Sequence, residues 1–95
     1  MFVQIVKFKL KPDSSRELLI QLTEQMVAYL KSRDGFVAYE LYEGVECWSD
    51  RIVWGEKSHA ESGLKAFLLT DLARQIMNLV ESDFSSFFGK AVVSA

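Results

Sequence analysis

Cysteine and histidine are nearly absent from this chain, which has one of each, Cys47 and His59. A single cysteine can form neither an intramolecular disulfide nor a cysteine-based zinc cluster, and His59 has no second histidine with which to hold a metal. We therefore expect no metal site. The absence of a disulfide framework leads us to expect a reducing, cytoplasmic setting.

Long apolar runs and an excess of one charge are also missing. No run approaches the roughly 18 residues needed to span a bilayer, and Met1 leads straight into a strand pattern instead of a secretion signal. The net charge is -2, and the basic residues are scattered along the chain. These features argue against membrane and nucleic-acid partners.

Aromatic residues are abundant, with seven Phe, three Tyr and two Trp among 95 residues. A chain of this length buries only about two-thirds of the surface that its unfolded form exposes. So many large side chains indicate either a thick core or a face that another subunit covers. The length predicts a single domain spanning residues 1–95.

Periodicity in the first half predicts a strand, a helix and a hairpin. Residues 2–10 alternate with a period of two. A helix should begin near residue 15, where Ser14 and Glu17 have capping-box spacing, and end before Gly35. The hairpin joins strands 36–43 and 51–54 through the turn-like segment 44–50.

The second half predicts two helical pieces and a final strand. Ser58 and Glu61 repeat the capping-box spacing, and Gly63 is expected to end a first piece of one or two turns. A longer helix should run from Leu64 to Val80. The last strand is predicted over residues 84–93, with a bulge or bend at Gly89.

The element order βαββαβ predicts an α+β, ferredoxin-like fold: a four-stranded antiparallel sheet with its helices on one face. The other face of the sheet is then uncovered. Val3 and Ile5 should lie on that face, and a homodimer through the open sheet face would bury them.

The segments GFVAYELYEG and RIVWGEKSHAES resemble the antibiotic biosynthesis monooxygenase-like family. The likeness rests on a Gly-aromatic start of the second strand, Tyr39 and Tyr42 in a YELY run, Trp54 at the end of the third strand and a capped turn after it. It covers nearly the whole chain. It implies a dimeric α+β barrel with a pocket in each protomer between sheet and helices.

Some members of that family oxygenate polycyclic phenols without metal, flavin or haem, so the resemblance implies no cofactor. An ionised phenol can itself donate an electron to dioxygen, and the protein need only bind it, favour its anion and exclude water. Other relatives degrade haem with an Asn, a Trp and a His. The matching positions here are Val6, Gly63 and Ala73, which argues against haem degradation.

Four residues are candidates for the site. His59 is the proposed catalytic base, being the only side chain with an unperturbed pKa near neutrality; a solvated position in a helix's first turn is the alternative. Trp54 could stack on an aromatic ligand or be core. Tyr39, on one face of its strand, and Gln4, on the face of Val6, are proposed to bind substrate or to be ordinary packed polar groups.

Other polar and aromatic residues are assigned simpler roles. Glu40 and Glu56 would be bases only if buried. Cys47 is expected to be inert among acidic neighbours, and Trp48 to be exposed in the hairpin turn, where it could contact a second subunit. The aromatic residues of the tail, predicted to be core and dimer contacts, are Phe84, Phe87 and Phe88.

The leading functional hypothesis is a homodimeric, cofactor-independent monooxygenase for a small hydrophobic, aromatic or quinol-like molecule. The alternative is a non-catalytic ligand-binding or stress-related protein of the same fold. A purely structural dimerisation module would follow if Phe8, Phe67 and Trp54 filled the pocket.

Overall fold

The computed structural model describes residues 1–95 and consists of one sheet and three helices. The strands are β1 (Phe2–Phe8), β2 (Phe36–Glu43), β3 (Trp48–Trp54) and β4 (Ser85–Lys90), and the helices are α1 (Arg16–Lys31), α2 (Lys57–Leu68) and α3 (Asp71–Met77). The sheet is antiparallel throughout, in the order β2-β3-β1-β4. Each helical crossover leaves one strand between the two that it connects, so the predicted ferredoxin-like topology is confirmed. None of the helices has the length and apolar character to cross a membrane.

The register divides the sheet into two faces. Direct partners in antiparallel strands lie on the same side, so Gln4, Ile52 and Phe88 share the helix-covered face, and Ile5, Arg51 and Phe87 share the other. We call the second side the open face; it consists of Val3, Ile5, Lys7, Ala38, Glu40, Tyr42, Ser49, Arg51, Val53, Ser85, Phe87 and Gly89. The predicted division of β1 between two faces is therefore correct.

The core lies between the covered face and α1. Residues at helical spacing on α1 are buried, among them Leu19, Met26 and Leu30. Met26 and Leu30 pack with Ile52 and Trp54 in the main cluster. Trp54 is fully buried at 0% exposure and meets Phe36 edge-on, with ring centroids 6.1 Å apart.

The start of α1 is one residue from the predicted cap. Ser15 is the N-cap, and its hydroxyl accepts a hydrogen bond from the Leu18 N–H at 3.1 Å. Ser14 instead donates its hydroxyl to the Leu79 carbonyl, 2.9 Å away. The Ser14 hydrogen bond therefore connects the start of α1 to the segment that follows α3.

The predicted division of the second helical region is wrong. Helix α2 continues through Gly63 to Leu68, and the break lies at Thr70, whose hydroxyl caps α3 by accepting from the Ala73 N–H at 3.1 Å. No side chain caps α2, so the Ser58 capping box does not form. Gly63 does not end the helix because its role is in packing: a Cβ there would overlap the Trp54 ring.

The hairpin connection is shorter than predicted, and β3 begins three residues earlier than predicted. Only residues 44–47 connect the strands, closed by the Gly44 N–H donating to the Cys47 carbonyl at 2.9 Å. Trp48 begins β3, stacks on Phe8 at 6.5 Å and is half-buried, so its predicted exposure in the turn is wrong. Asp50 is likewise a strand residue.

The first and last strands of the chain also differ from the prediction. β1 ends at Phe8, with Leu10 in an isolated bridge to Val80, and β4 ends at Lys90. The register of β4 is continuous at Gly89; the irregularity lies in β2 between Phe36 and Ala38. The three tail phenylalanines are exposed, so they are not core.

Replacing Gly63 by Ala tests the packing of α2. Helix propensity alone would stabilise the variant by about 1 kcal/mol, whereas overlap with the buried Trp54 ring should destabilise it by about 1–3 kcal/mol. Urea unfolding measures the difference. Ser62→Ala, at an exposed position of the same helix, is the control and should be neutral or slightly stabilising. Equal stabilisation of both variants would contradict this packing.

Candidate functional site

A cavity of about 250 Å³ lies between the covered face of the sheet and the helices. Of its 20 lining residues, 16 are hydrophobic, so it suits an apolar molecule. Its inner wall includes Trp54, Leu19 and Leu30, all exposed by 2% or less. Its mouth is framed by the exposed apolar residues Leu68, Met77, Phe84 and Phe88.

Polar groups enter the cavity mainly from β1, β2 and β3. Asp50, Ile52 and Trp54 alternate along the covered side of β3, and Gln4 lies directly opposite Ile52. Gln4 is therefore a diagonal neighbour of both Asp50 and Trp54, about 7–8 Å from each at the backbone. The register thus places an amide between a carboxyl group and an indole.

Asp50 and Tyr39 form a hydrogen-bonded pair in this wall. The Tyr39 hydroxyl donates to Asp50 Oδ2 at 2.9 Å. Burial raises the pKa of Asp50 to about 6, against the opposing effects of the Tyr39 hydroxyl and the Val6 backbone. Burial, followed by the nearby Asp50 charge, raises the pKa of Tyr39 as well. Above pH 6 the pair is therefore an ionised carboxylate beside a neutral phenol.

Three buried polar atoms of the cavity wall make no hydrogen bond within the protein: Gln4 Oε1, Asp50 Oδ1 and Trp54 Nε1. An unpaired buried donor or acceptor costs about 1–3 kcal/mol. A ligand that supplies their partners would recover that free energy. The wall therefore favours an apolar molecule with a few polar substituents over a pure hydrocarbon.

The structure brings together three of the four predicted site residues. Trp54, Tyr39 and Gln4 all line the cavity, as proposed substrate-binding residues should. The fourth, His59, does not line it. These positions are geometry only, and the roles of all four residues stay predictions.

His59 lies in the first turn of α2 beside the turn that precedes β2. A Cβ on Gly35 would overlap its imidazole, and Gly35 holds a φ of 81° that suits glycine. The imidazole lines a separate polar pocket of about 200 Å³ with residues such as Ser32, Arg33 and Asp34. Its buried Nδ1 has no hydrogen-bond partner in the protein. A base in this position would have no contact with a molecule in the apolar cavity.

Asp50 is the cavity residue that sequence reasoning missed. The segment 44–50 was assigned to a turn because Gly, Glu and Asp are typical of turns. The signal for Asp50 is its spacing: it lies two residues before Ile52 and four before Trp54, so in a strand all three lie on the same face. Extending the strand back to the β-favouring Trp48 would have placed Asp50 on the covered face.

The two other carboxylates proposed as possible bases are exposed to solvent, so they are unsuited to that role. Glu40 is exposed on the open face, where it pairs with Arg51 at 2.5 Å. Glu56 is exposed at the start of α2. No cluster of three or more His, Cys, Asp or Glu residues is arranged to hold a metal ion.

Replacing Asp50 by Asn should raise stability in a pH-dependent way. Because folding raises the pKa of Asp50 from 3.8 to about 6, its favourable contribution is complete below pH 4 and is lost as the pH rises through 6. Asp50→Asn should therefore exceed the wild type in unfolding free energy by about 2–3 kcal/mol at pH 8, and match it near pH 4. Urea unfolding across this range tests the expectation. The exposed Asp83→Asn is the control and should show no such pH-dependent gain; an Asp50→Asn difference that is constant with pH would contradict the assignment.

Comparisons with known proteins identify the fold. The sequence matches no protein-family model and none of the curated proteins compared. The structure is similar to that of a variant of SnoaB, a cofactor-independent oxygenase from Streptomyces nogalater, with a TM-score of 0.84, 14% identity and coverage of 98% of this chain and 94% of that one. It is also similar to a Mycobacterium tuberculosis protein (TM-score 0.81, 18% identity, coverage 99% and 97%) and to an antibiotic biosynthesis monooxygenase (TM-score 0.73, 17% identity, coverage 98% and 100%). The resemblance predicted from the sequence is therefore confirmed in structure, and the chain has the fold of the antibiotic biosynthesis monooxygenase-like proteins.

Proposed function

We propose that this protein is a cofactor-independent monooxygenase that acts on a small hydrophobic, aromatic or quinol-like molecule bound in the cavity. The observation that carries the proposal is the cavity itself, with its apolar wall and its one carboxyl group, Asp50. The similarity to a cofactor-independent oxygenase supports the general kind of activity.

The proposed reaction requires few functional groups from the protein. A phenol that loses its proton becomes an electron-rich anion and can pass one electron to dioxygen. The resulting radical and superoxide combine in a new C–O bond, and the O–O bond then breaks with release of water. One molecule of substrate is oxidised to a quinone, and one molecule of dioxygen is reduced, one of its atoms entering the product and the other entering water. An apolar cavity supports this sequence by excluding bulk water from the anion.

The proposed substrate-binding residues are Trp54, Tyr39 and Gln4, which surround the same space. Trp54 lines the cavity, is fully buried and has an unpaired N–H. The catalytic role proposed for His59 depends on a contact with substrate that its separate pocket does not provide. The substitution His59→Ala tests the catalytic role of His59. Unchanged turnover would remove that role, and lost turnover with retained substrate binding would support it.

A non-catalytic binding protein is the second candidate function. The same three unpaired polar atoms favour ligand binding whether or not oxygen reacts. The structural-module alternative has less support, because Phe8, Phe67 and Trp54 line the cavity without filling it. Oxygen uptake separates the enzyme from the binding protein.

Blocking the cavity mouth should lower turnover without disturbing the core. Met77 is 45% exposed at the mouth, and Met77→Trp should lower kcat/KM by about tenfold or more for any phenol that is oxidised. Oxygen consumption by protein dialysed against a chelator, with a panel of naphthols and anthrones, is the measurement. Leu69→Trp adds the same indole at a site that is 84% exposed and outside the cavity, and should have no effect. Equal losses in both variants, or undiminished turnover in Met77→Trp, would contradict the proposed substrate site.

We propose also that the chain forms a homodimer through the open face. Phe87 is 58% exposed there next to the half-buried Val3 and Ile5, and Tyr42 is 46% exposed on the edge strand β2. Exposed apolar side chains grouped on one face favour contact with a partner.

A charge in the middle of the open face should dissociate that dimer. Ile5→Lys should shift the mass measured by sedimentation equilibrium at micromolar concentration from two chains to one, because pairing would bury two unpaired ammonium groups. Glu24→Lys, on the exposed side of α1, introduces the same group and should leave the dimer intact. A monomeric wild type would remove the proposal.

A further inference from the structure

We infer that Asp50 selects the substrate by a hydroxyl group, which it binds through its free oxygen and deprotonates when the substrate reacts, while Trp54 donates to an acceptor at the other end of the molecule. This inference rests on the proposed oxygenase function and adds to it a base and a substrate pattern. The substrate class is a bicyclic or tricyclic aromatic with a hydroxyl at one end and an oxygen acceptor, such as a carbonyl, at the other.

Asp50 has no competitor for this role within the cavity. The lining residues come from all four strands, from the three helices and from the segments beside them, and Asp50 and Tyr39 are the only titratable groups among them. The Tyr39 hydroxyl is neutral at physiological pH and already donates to the carboxylate. No cationic side chain lines the cavity, so nothing there would neutralise the carboxylate before substrate binds.

The hydrogen bond from Tyr39 leaves one carboxylate oxygen available. It occupies Oδ2 at 2.9 Å, while Oδ1 is buried and has no donor within the protein. Tyr39 thus fixes the orientation of the carboxyl group and holds part of its charge. Oδ1 is the natural acceptor for a hydroxyl that enters the cavity.

The register gives the approximate spacing of the polar groups. Asp50 and Trp54 are four residues apart on one strand, about 13 Å between Cα atoms. Gln4 lies between them, and its amide can accept from or donate to the middle of a bound molecule. A polar pattern of this length matches two or three fused rings with oxygen substituents at both ends.

The volume of the cavity indicates a ligand of the same size. Pockets for drug-sized ligands usually measure about 300–1,000 Å³, and this cavity, at about 250 Å³, is slightly smaller. Larger polycyclic molecules would have to displace the apolar residues at the mouth. The apolar walls can contact the faces of the rings, Gln4 Oε1 and Asp50 Oδ1 can accept from a hydroxyl, and Trp54 Nε1–H can donate to a ligand oxygen.

In the reacting complex Asp50 Oδ1 takes the hydroxyl proton as the substrate passes an electron to dioxygen. The protonated carboxyl then returns that proton to the oxygen atom that leaves as water, and the second hydrogen of that water comes from the ring carbon that has gained the new C–O bond. The carboxylate is regenerated in each cycle, and no other reductant or oxidant is needed. A base with a pKa of about 6 is ionised at neutral pH and ready to accept a proton.

Binding in the absence of oxygen tests the selection of the hydroxyl. The probes are 1-naphthol and 1-methylnaphthalene, which have nearly the same shape and differ in the hydroxyl. The wild type should bind 1-naphthol about tenfold or more tightly than its methyl analogue, as a hydrogen bond to a charged acceptor predicts. In Asp50→Asn this preference should fall to about threefold or less, while 1-methylnaphthalene affinity stays within about twofold.

Glu40→Gln is the matched control, since it removes a carboxylate from the open face instead of the cavity. It should keep the wild-type preference for 1-naphthol. An undiminished preference in Asp50→Asn would overturn the inference, and so would failure of both probes to bind the wild type.

Oxygen consumption with 1-naphthol separates this inference from the proposed function. The wild-type kcat/KM should rise as the pH increases through about 6, and Asp50→Asn should lose about 100-fold and that dependence. If Asp50→Asn turns over as fast as the wild type, the base role is refuted and the oxygenase function stands. If neither the wild type nor any variant consumes oxygen, but the preference for 1-naphthol over 1-methylnaphthalene still depends on Asp50, the oxygenase function fails and the selection of the hydroxyl stands.

Discussion

The contact between Trp54 and Gly63 sets how closely α2 approaches the sheet. The indole is fully buried where β3 ends, and the absence of a Cβ on Gly63 allows the helix backbone to lie directly on it. The same ring packs edge-on against Phe36, the first residue of β2. The end of the hairpin and the helix after it are therefore held by one side chain. Since Trp54 also forms part of the cavity wall, this packing fixes one side of the candidate site.

The wall of the cavity combines apolar burial with incomplete polar pairing. Most buried polar groups in proteins have a hydrogen-bond partner, whereas Gln4, Asp50 and Trp54, which line the same cavity, each have an unpaired buried atom. Burial of Asp50 also costs stability at neutral pH because its ionised form is poorly solvated. Stability is thus given up at the place where a ligand would recover it. Such concentrated cost is typical of functional sites.

Much of the fold follows from local patterns in the sequence. Period-two alternation in residues 2–8 correctly separated Gln4 and Phe8 from Val3 and Ile5, and the order of elements determined the topology. Tyr39, Trp54 and Gln4 could be placed in one cavity because parity within strands is a local property. These inferences did not require knowledge of how distant parts of the chain pack.

The errors arose where tertiary packing overrides local preference. The position of Gly63 in the sequence predicts a helix end, whereas in the structure it lies within α2, against the ring of Trp54, which is nine residues earlier and on a strand. The residue type of Asp50 predicts a turn, whereas β3 begins at Trp48, which stacks on Phe8, and so includes Asp50. The separation of His59 from the cavity depends on how α2 meets the Gly35 turn, which no local pattern reveals.

The central claim is that this cavity allows an aromatic hydroxyl compound to react with dioxygen without a cofactor. The most direct measurement is mass spectrometry of the product formed from 1-naphthol by metal-free protein under ¹⁸O₂. The account predicts a naphthoquinone with one ¹⁸O atom from dioxygen and an equal amount of labelled water. A product whose new oxygen comes from the solvent, or labelling that persists unchanged when the protein is replaced by Met77→Trp, would contradict it.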